Sequence, residues 1–138
     1  MIQARIRGGA AMNQTAKDAA GKNVLVVEDE IMIRLLLEDM LGDLGYNIAA
    51  AVGRVDDAVK VARTGEFDVA ILDVNLNGQT VSPVAEILEA RGLPFVFATG
   101  YGERGLPERF SNRPTLQKPF QQENLGRILT QAFENLPA

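Results

Sequence analysis

Three carboxylates, a lysine and a threonine are the residues whose types and spacing could do chemistry here. Glu28 and Asp29 follow the apolar run Val24–Val27, and Asp73 follows a second run, Val69–Leu72. Thr99 closes a third, Phe95–Ala98, and Lys118 comes directly after the short segment Thr115–Gln117. Short, unbroken apolar runs mark parallel strands buried on both faces. Polar residues at their carboxyl ends stand where open α/β sheets place their ligands. Carboxylates crowded on one such edge repel one another and raise each other's pKa unless a cation intervenes. With no histidine and no cysteine in 138 residues, zinc lacks its usual ligands and the usual general base is missing. Oxygen-only ligation points to a hard cation, magnesium first, which commonly keeps several waters.

Each of these residues has a plainer reading when taken alone. Asp73 can cap the turn that follows it, and Glu28, Asp29 and Glu30 can simply favour the positive end of the next helix. Lys118 can be a solvated loop charge, and Thr99 a turn former. What favours a site is their joint placement at matched strand ends.

The elements that must position them follow from hydrophobic period. Asn23–Val27 reads as the first strand. A helix of about four turns comes next, with Ile33, Leu36, Leu37, Met40 and Leu44 as its apolar stripe and Gly45 just past its end. Asn47–Val52 is a second strand and Val55–Arg63 a second helix, stopped by Thr64-Gly65. After the central strand at Val69, Ser82 is expected at a helix cap with Pro83 in the first helical position. That helix runs to Arg91-Gly92. Leu93–Ala98 is the fourth strand and Thr115–Gln117 the fifth. The final helix aligns Leu125, Ile128, Leu129, Ala132, Phe133 and Leu136. Between Thr99 and Pro114 no helical period of useful length appears, so a loop or very short helix is expected in the fourth crossover.

The expected fold is therefore α/β: a doubly wound, five-stranded parallel sheet with right-handed crossovers. Composition fits one globular domain, with 46% apolar and 23% charged residues. Residues 1–21 show no sustained apolar period and read as a mobile leader or cloning remnant. Residues 22–138 form the domain, and no second, output domain is expected. No apolar run approaches the length of a membrane span, and the lack of cysteine makes the cytoplasm the default location. A net charge of −4 argues against nucleic acid as a direct partner.

Four stretches in order, Val24–Glu30, Ile71–Val74, Ala98–Gly100 and Lys118–Phe120, resemble the receiver domain of two-component response regulators. The resemblance covers residues 23–136. More narrowly, Pro94–Tyr101 is similar to the "FAT GUY" signature of single-domain regulators in alphaproteobacteria, which have an altered fourth helix region. The resemblance implies a flavodoxin-like strand order, 2-1-3-4-5. It also implies that Asp73 accepts a phosphoryl group from a histidine kinase or histidine phosphotransferase. Magnesium would be bound by Asp29, by Asp73, by Glu28 through a water and by the backbone carbonyl of Asn75. Lys118 would pair with the acceptor and then with the phosphate. Thr99 would donate to a phosphoryl oxygen, and Gly100 would leave room for it. Such a protein signals through protein contacts or serves as a phosphate sink. It is not an enzyme beyond its own phosphorylation and dephosphorylation, and it is expected as a monomer or weak dimer.

The chain departs from the family pattern where an inward-turning aromatic usually precedes the lysine. Thr115 stands there, which leaves Tyr101 as the candidate for the switching part. The segment from Gly100 to Pro114 is the candidate for ordering upon phosphorylation. Two alternatives remain on sequence grounds. A haloacid-dehalogenase-like phosphatase also uses a strand-end aspartate, but its second acid would fall at Asn75. A receiver-like binding module that is never phosphorylated would not need Asp73, Thr99 and Lys118 together.

Overall fold

In the computed structural model, residues 21–100, 106, 108–110 and 112–134 are described. Five strands form one parallel sheet in the order β2-β1-β3-β6-β7. They are β1 (Asn23–Val27), β2 (Asn47–Val52), β3 (Val69–Asp73), β6 (Phe95–Thr99) and β7 (Thr115–Gln117). Two further strands, β4 (Asn75–Leu76) and β5 (Gln79–Thr80), pair with each other as an antiparallel hairpin outside the sheet. The helices are α1 (Ile31–Asp43), α2 (Val55–Thr64), α3 (Ser82–Arg91) and α4 (Gln122–Glu134). The expected order 2-1-3-4-5 is the one observed, with β6 and β7 as its fourth and fifth members.

The period of two along each central strand sorts side chains into two cores. Val24, Val26, Val69, Ile71, Val96 and Ala98 face one side, where Leu37 and Leu41 of α1 and Leu125, Leu129 and Ala132 of α4 cover them. Leu25, Val27, Ala70, Leu72, Phe95 and Phe97 face the other, under Ala58 and Ala62 of α2 and Val84, Ala85 and Leu88 of α3. Every residue of β3 and β6 is buried, as two-sided coverage requires.

In the fourth crossover the described residues contain a 3-10 turn, Glu108–Phe110. It delivers Phe110, which is 1% exposed, onto the second core. Its ring lies 5.9 Å from both Phe95 and Phe97, and those two meet edge to face at 5.6 Å. Phe95, Phe97 and Phe110 thus form one aromatic cluster on that face. Among the described residues of this crossover, the turn Glu108–Phe110 is the helical element, in line with the expected loop or very short helix.

Three local expectations need correction. Leu36, expected on the buried stripe of α1, is 42% exposed, and Leu41 is buried in its stead. The helix is apolar nearly all round, so period alone could not choose the inward face. Ser82 is not the cap of α3 but its first residue, with Val81 before it. Thr80 Oγ1 instead accepts a hydrogen bond from the Ser82 N–H at 3.2 Å. The fourth strand begins at Phe95, two residues later than expected, and ends at Thr99. Gly45 does take up the left-handed conformation after α1, at φ 96°. Residues 1–20 and Leu136 lie outside the described residues, and no helix among the described residues is long and apolar enough to cross a membrane.

Candidate functional site

Strand register explains how residues so far apart in sequence meet. In the sheet order, the chain leaves β1 toward β2 on one side and returns through β3 on the other. The carboxyl ends of β1 and β3 therefore flank the point where winding reverses, the usual place for a ligand crevice. Val27 pairs with Leu72, which sets Glu28 beside Asp73 one step on. Asp73 pairs with Ala98, so Thr99 comes next along that edge. Thr99 pairs with Gln117, and Lys118 follows. A hydrogen bond from the Lys118 N–H to the Thr99 carbonyl, 2.9 Å, fixes the last step.

The side chains converge as the strand ends require. Lys118 Nζ lies 3.0 Å from Glu28 Oε2 and 3.4 Å from Asp73 Oδ2. Glu28, Asp29 and Asp73 can each present an oxygen within 4.8 Å of the others. Glu28 Oε1 accepts from the Glu30 N–H at 3.1 Å, and Asp73 Oδ1 accepts from the Asn75 N–H at 3.3 Å. Glu28 and Thr99 are almost fully buried, at 1% and 2% exposure, and Asp73 is 6% exposed. A cleft of about 710 Å³ opens onto the group. Asp29, Asp73, Thr99, Gly100 and Lys118 line one part of it, and residues of the β4–β5 hairpin line another. A Cβ added at Gly100 would meet no atom within 4 Å, so space is open there.

Burial and crowding set the protonation. Burial raises the Glu28 pKa from 4.5 to about 7, against the pull of the Glu30 N–H and of Lys118. Burial likewise pushes the Asp73 carboxyl above its usual range, opposed by hydrogen bonding to Glu28 and by the Lys118 charge. For Asp29, burial acts upward but is outweighed by the Asn77 N–H and by hydrogen bonds with Asp73 and Glu28, so its pKa falls. Burial disfavours the Lys118 ammonium, yet its hydrogen bond to Glu28 and the charges of Asp73 and Glu28 hold its pKa above the ordinary value. Glu28 and Asp73 thus share one ammonium, with the Asp29 carboxylate close by. Clustered oxygen donors in this state suit a hard divalent cation, which would relieve the remaining repulsion.

All the site residues singled out from sequence, except one, fall on this edge: Glu28, Asp29, Asp73, Asn75, Thr99, Gly100 and Lys118. Tyr101 lies outside the described residues. Two features were not foreseen. Lys118 stands closer to Glu28 than to Asp73, which spacing along the chain cannot reveal. The second is a hydrogen bond to Asp29 Oδ2 from the Asn77 N–H, 3.1 Å, at the tip of the β4–β5 hairpin. The Asn77-Gly78 dipeptide was its available signal, since Asn-Gly favours two-residue hairpin turns.

Known proteins share this arrangement of elements. Residues 24–130 match the family described as the response regulator receiver domain. Among curated proteins, the transcriptional regulatory protein PdtaR of Mycobacterium tuberculosis is 34% identical over 109 residues, which are 76% of this chain and 53% of that protein. The chain therefore spans about half the length of that relative. Among solved structures, SdrG from Sphingomonas melonis Fr1 is similar with a TM-score of 0.74 and 42% identity, over 83% of this chain and 98% of that one. The receiver domain of the PhyR response regulator of Erythrobacter litoralis has a TM-score of 0.71 and 28% identity, over 86% of this chain and 95% of that one.

Proposed function

The chain belongs to the response regulator receiver domain family, and on that premise we propose that it carries a signal by accepting a phosphoryl group on Asp73. The observation that carries this reading is the position of Asp73: at the end of a buried strand, 3.4 Å from Lys118 Nζ, and open to a cleft. One oxygen of Asp73 attacks phosphorus, the bond from phosphorus to the donor breaks, and an acyl phosphate forms. As a carboxylate, the nucleophile needs no base to remove a proton, which agrees with a chain that has no histidine. The donor is a histidine kinase or a histidine phosphotransferase.

Lys118 carries the fixed positive charge. Held between Glu28 and Asp73, it pairs with the acceptor before transfer and with the phosphoryl oxygens afterwards. Thr99, next along the same edge, donates its hydroxyl proton to a phosphoryl oxygen, and the open space at Gly100 admits the group. Magnesium would be held by Asp29, Asp73, Glu28 through a water and the Asn75 carbonyl, and when bound it supplies neutralisation of charge on the transferring phosphoryl group.

The output is contact with other proteins, or drainage of phosphate from a shared donor. In support, Ile31, Met32, Leu35 and Leu36 are exposed on the first turns of α1, beside the acidic edge. Clustered apolar side chains at the mouth of a charged cleft suit protein docking.

Incubation with magnesium and acetyl phosphate, followed by intact mass, tests the assignment. Wild type gains the mass of one phosphoryl group, and Asp73→Asn gains none. An equal gain in both, or none in wild type, removes Asp73 as the acceptor.

A further inference from the structure

The β4–β5 hairpin has no place in the main sheet, yet its tip reaches the acid pair after β1. Asn77 and Gly78 are its two turn residues, with φ of 53° and 83°. Positive φ at both positions is what a type I′ turn demands, and Asn-Gly is its preferred sequence. The Gly78 N–H donates to Asn75 Oδ1 at 2.8 Å, which braces the turn from within. Leu76, fully buried in the second core, anchors the hairpin to the body of the domain. With the turn held this way, the Asn77 N–H points outward and donates to Asp29 Oδ2 across 48 residues of chain.

Asp29 also shares hydrogen bonds with Asp73 and Glu28, but those partners are acids of the same pocket, and the Asn77 N–H is the donor that the rest of the fold brings to it. Asp29 follows β1 in the short link to α1, and it is only partly buried. A carboxylate on such a link turns freely about its side-chain bonds unless a donor fixes one oxygen. The N–H of a braced turn is a suitable donor, because a main-chain amide in a type I′ turn has no rotamer freedom of its own. Outer partners that orient a metal-binding carboxylate in this way commonly change metal affinity by about 10- to 100-fold when lost.

We propose that the Asn77-Gly78 turn is a positioning device for Asp29: its main-chain N–H aims the carboxylate into the acidic pocket and so sets the affinity for magnesium. Asn77 acts through Asp29 and through its own backbone, and its side chain takes no part. The proposal rests on the magnesium-dependent reading of the same pocket, and it makes the hairpin a working part of the site. The role separates two substitutions that remove the same side chain. Asn77→Gly keeps positive φ at no steric cost, so the N–H stays in place. Asn77→Val puts a β-branched residue where φ is 53°, which its side chain opposes, so the turn rearranges and the donor is lost.

Magnesium alone, with no phosphoryl donor present, is titrated calorimetrically into wild type and both variants at a temperature where all three are folded. Asn77→Val is expected to bind about tenfold more weakly than wild type, and Asn77→Gly to recover most of that loss. Should Asn77→Val fail to fold, Asn75→Ala takes its place. It removes the acceptor for the Gly78 N–H while keeping the residue 75 carbonyl, and it too is expected to weaken binding. Equal affinities for wild type and the turn-breaking variant, or equal losses in the valine and glycine variants, would overturn the proposal. So would a wild type that takes up no magnesium. Because no phosphate is involved, a failure of Asp73 to accept a phosphoryl group would show in the mass experiment and leave this result standing.

Discussion

Two charge clusters in this domain combine acids and bases in opposite proportion. At the carboxyl edge of the sheet, the single ammonium of Lys118 serves Glu28 and Asp73, with Asp29 alongside. On α3, the single carboxylate of Glu89 serves two guanidinium groups, Arg109 at 2.5 Å and Arg113 at 2.6 Å. The first cluster has acids in excess and is buried. The second has bases in excess and is partly open to water. Burial decides what the excess means. Water screens the surplus positive charge near Glu89, and the two arginines simply hold that acid's pKa below the ordinary value. Glu28 is almost fully buried and gets little such screening, so its pKa climbs to about 7 and the pocket keeps an unmet demand for positive charge. That unmet demand distinguishes a site from a surface ion pair.

Removing the cation from the buried cluster should have the largest effect. Lys118→Met leaves Glu28 and Asp73 facing each other without a counter-charge, a loss that commonly costs about 3 kcal/mol or more. The cost is expected near pH 8 by chemical denaturation and should shrink at lower pH, as the carboxyls take up protons. Phosphorylation by acetyl phosphate should fall at least tenfold in the same variant. If Lys118→Met were as stable as wild type at pH 8, the two clusters would not differ in kind.

The pH dependence of stability should set the raised acids of the first cluster, Glu28 and Asp73, apart by sign from Glu89; Asp29, whose pKa is lowered, goes with Glu89. The folded-state pKa of Glu28, about 7, lies above its ordinary 4.5, so between those values the folded chain holds a proton that the unfolded chain has lost. Stability from this group is fully present below about pH 4.5 and is lost as pH rises toward 7. Asp73, also raised, acts in the same direction. Lys118 stays protonated throughout and leaves the slope unchanged. The metal-free protein is therefore expected to lose on the order of 2 kcal/mol of stability from these acids between pH 4.5 and 7. Magnesium should flatten that slope, because ligation favours the deprotonated acids. Glu89 acts oppositely: its depressed pKa gives stability that is present above its ordinary pKa and disappears as the solution is acidified. Denaturant midpoints measured from about pH 3 to 7, with and without magnesium, would show both effects. A slope that magnesium leaves untouched would mean that the raised acids lie outside the metal pocket.

The sheet and the convergence of Glu28, Asp29, Asp73, Thr99 and Lys118 were legible in sequence for one reason. Parallel strands buried on both faces are short apolar runs, and the residues that end them share an edge whatever separates them along the chain. Features set by local geometry were less legible. The inward face of α1 was ambiguous because Leu35, Leu36, Leu37, Met40 and Leu41 offer several stripes of equal apolarity. The cap of α3 was misplaced because a serine before a proline looks like a cap, while Thr80 supplies the oxygen from two residues upstream. The β4–β5 hairpin has strands of two residues, too short to show alternation, so only its Asn-Gly turn could have announced it. The preference of Lys118 for Glu28 depends on side-chain reach within a shared pocket, which no spacing rule contains.

The exposed cluster should yield the smallest effect, and for a reason its own geometry supplies. Glu89→Gln removes the charge that joins Arg109 and Arg113, yet neither arginine depends on that carboxylate alone. Arg113 stacks 4.7 Å above the Phe95 ring, and Arg109 lies 5.0 Å over Phe110. Cation–π contact and the packing of the guanidinium stems remain when the acid becomes an amide. Its oxygen can still accept one hydrogen bond. Stability should thus change no more than for an ordinary surface substitution, and the difference from wild type should shrink further as salt is raised. Phosphorylation of Asp73 should be unchanged, since Glu89 lies on α3 and takes no part in the acidic edge. A large loss in Glu89→Gln that salt does not diminish would mean that this cluster is desolvated in solution. The contrast drawn from burial would then fail at its exposed end, while the expectations for Lys118 would stand.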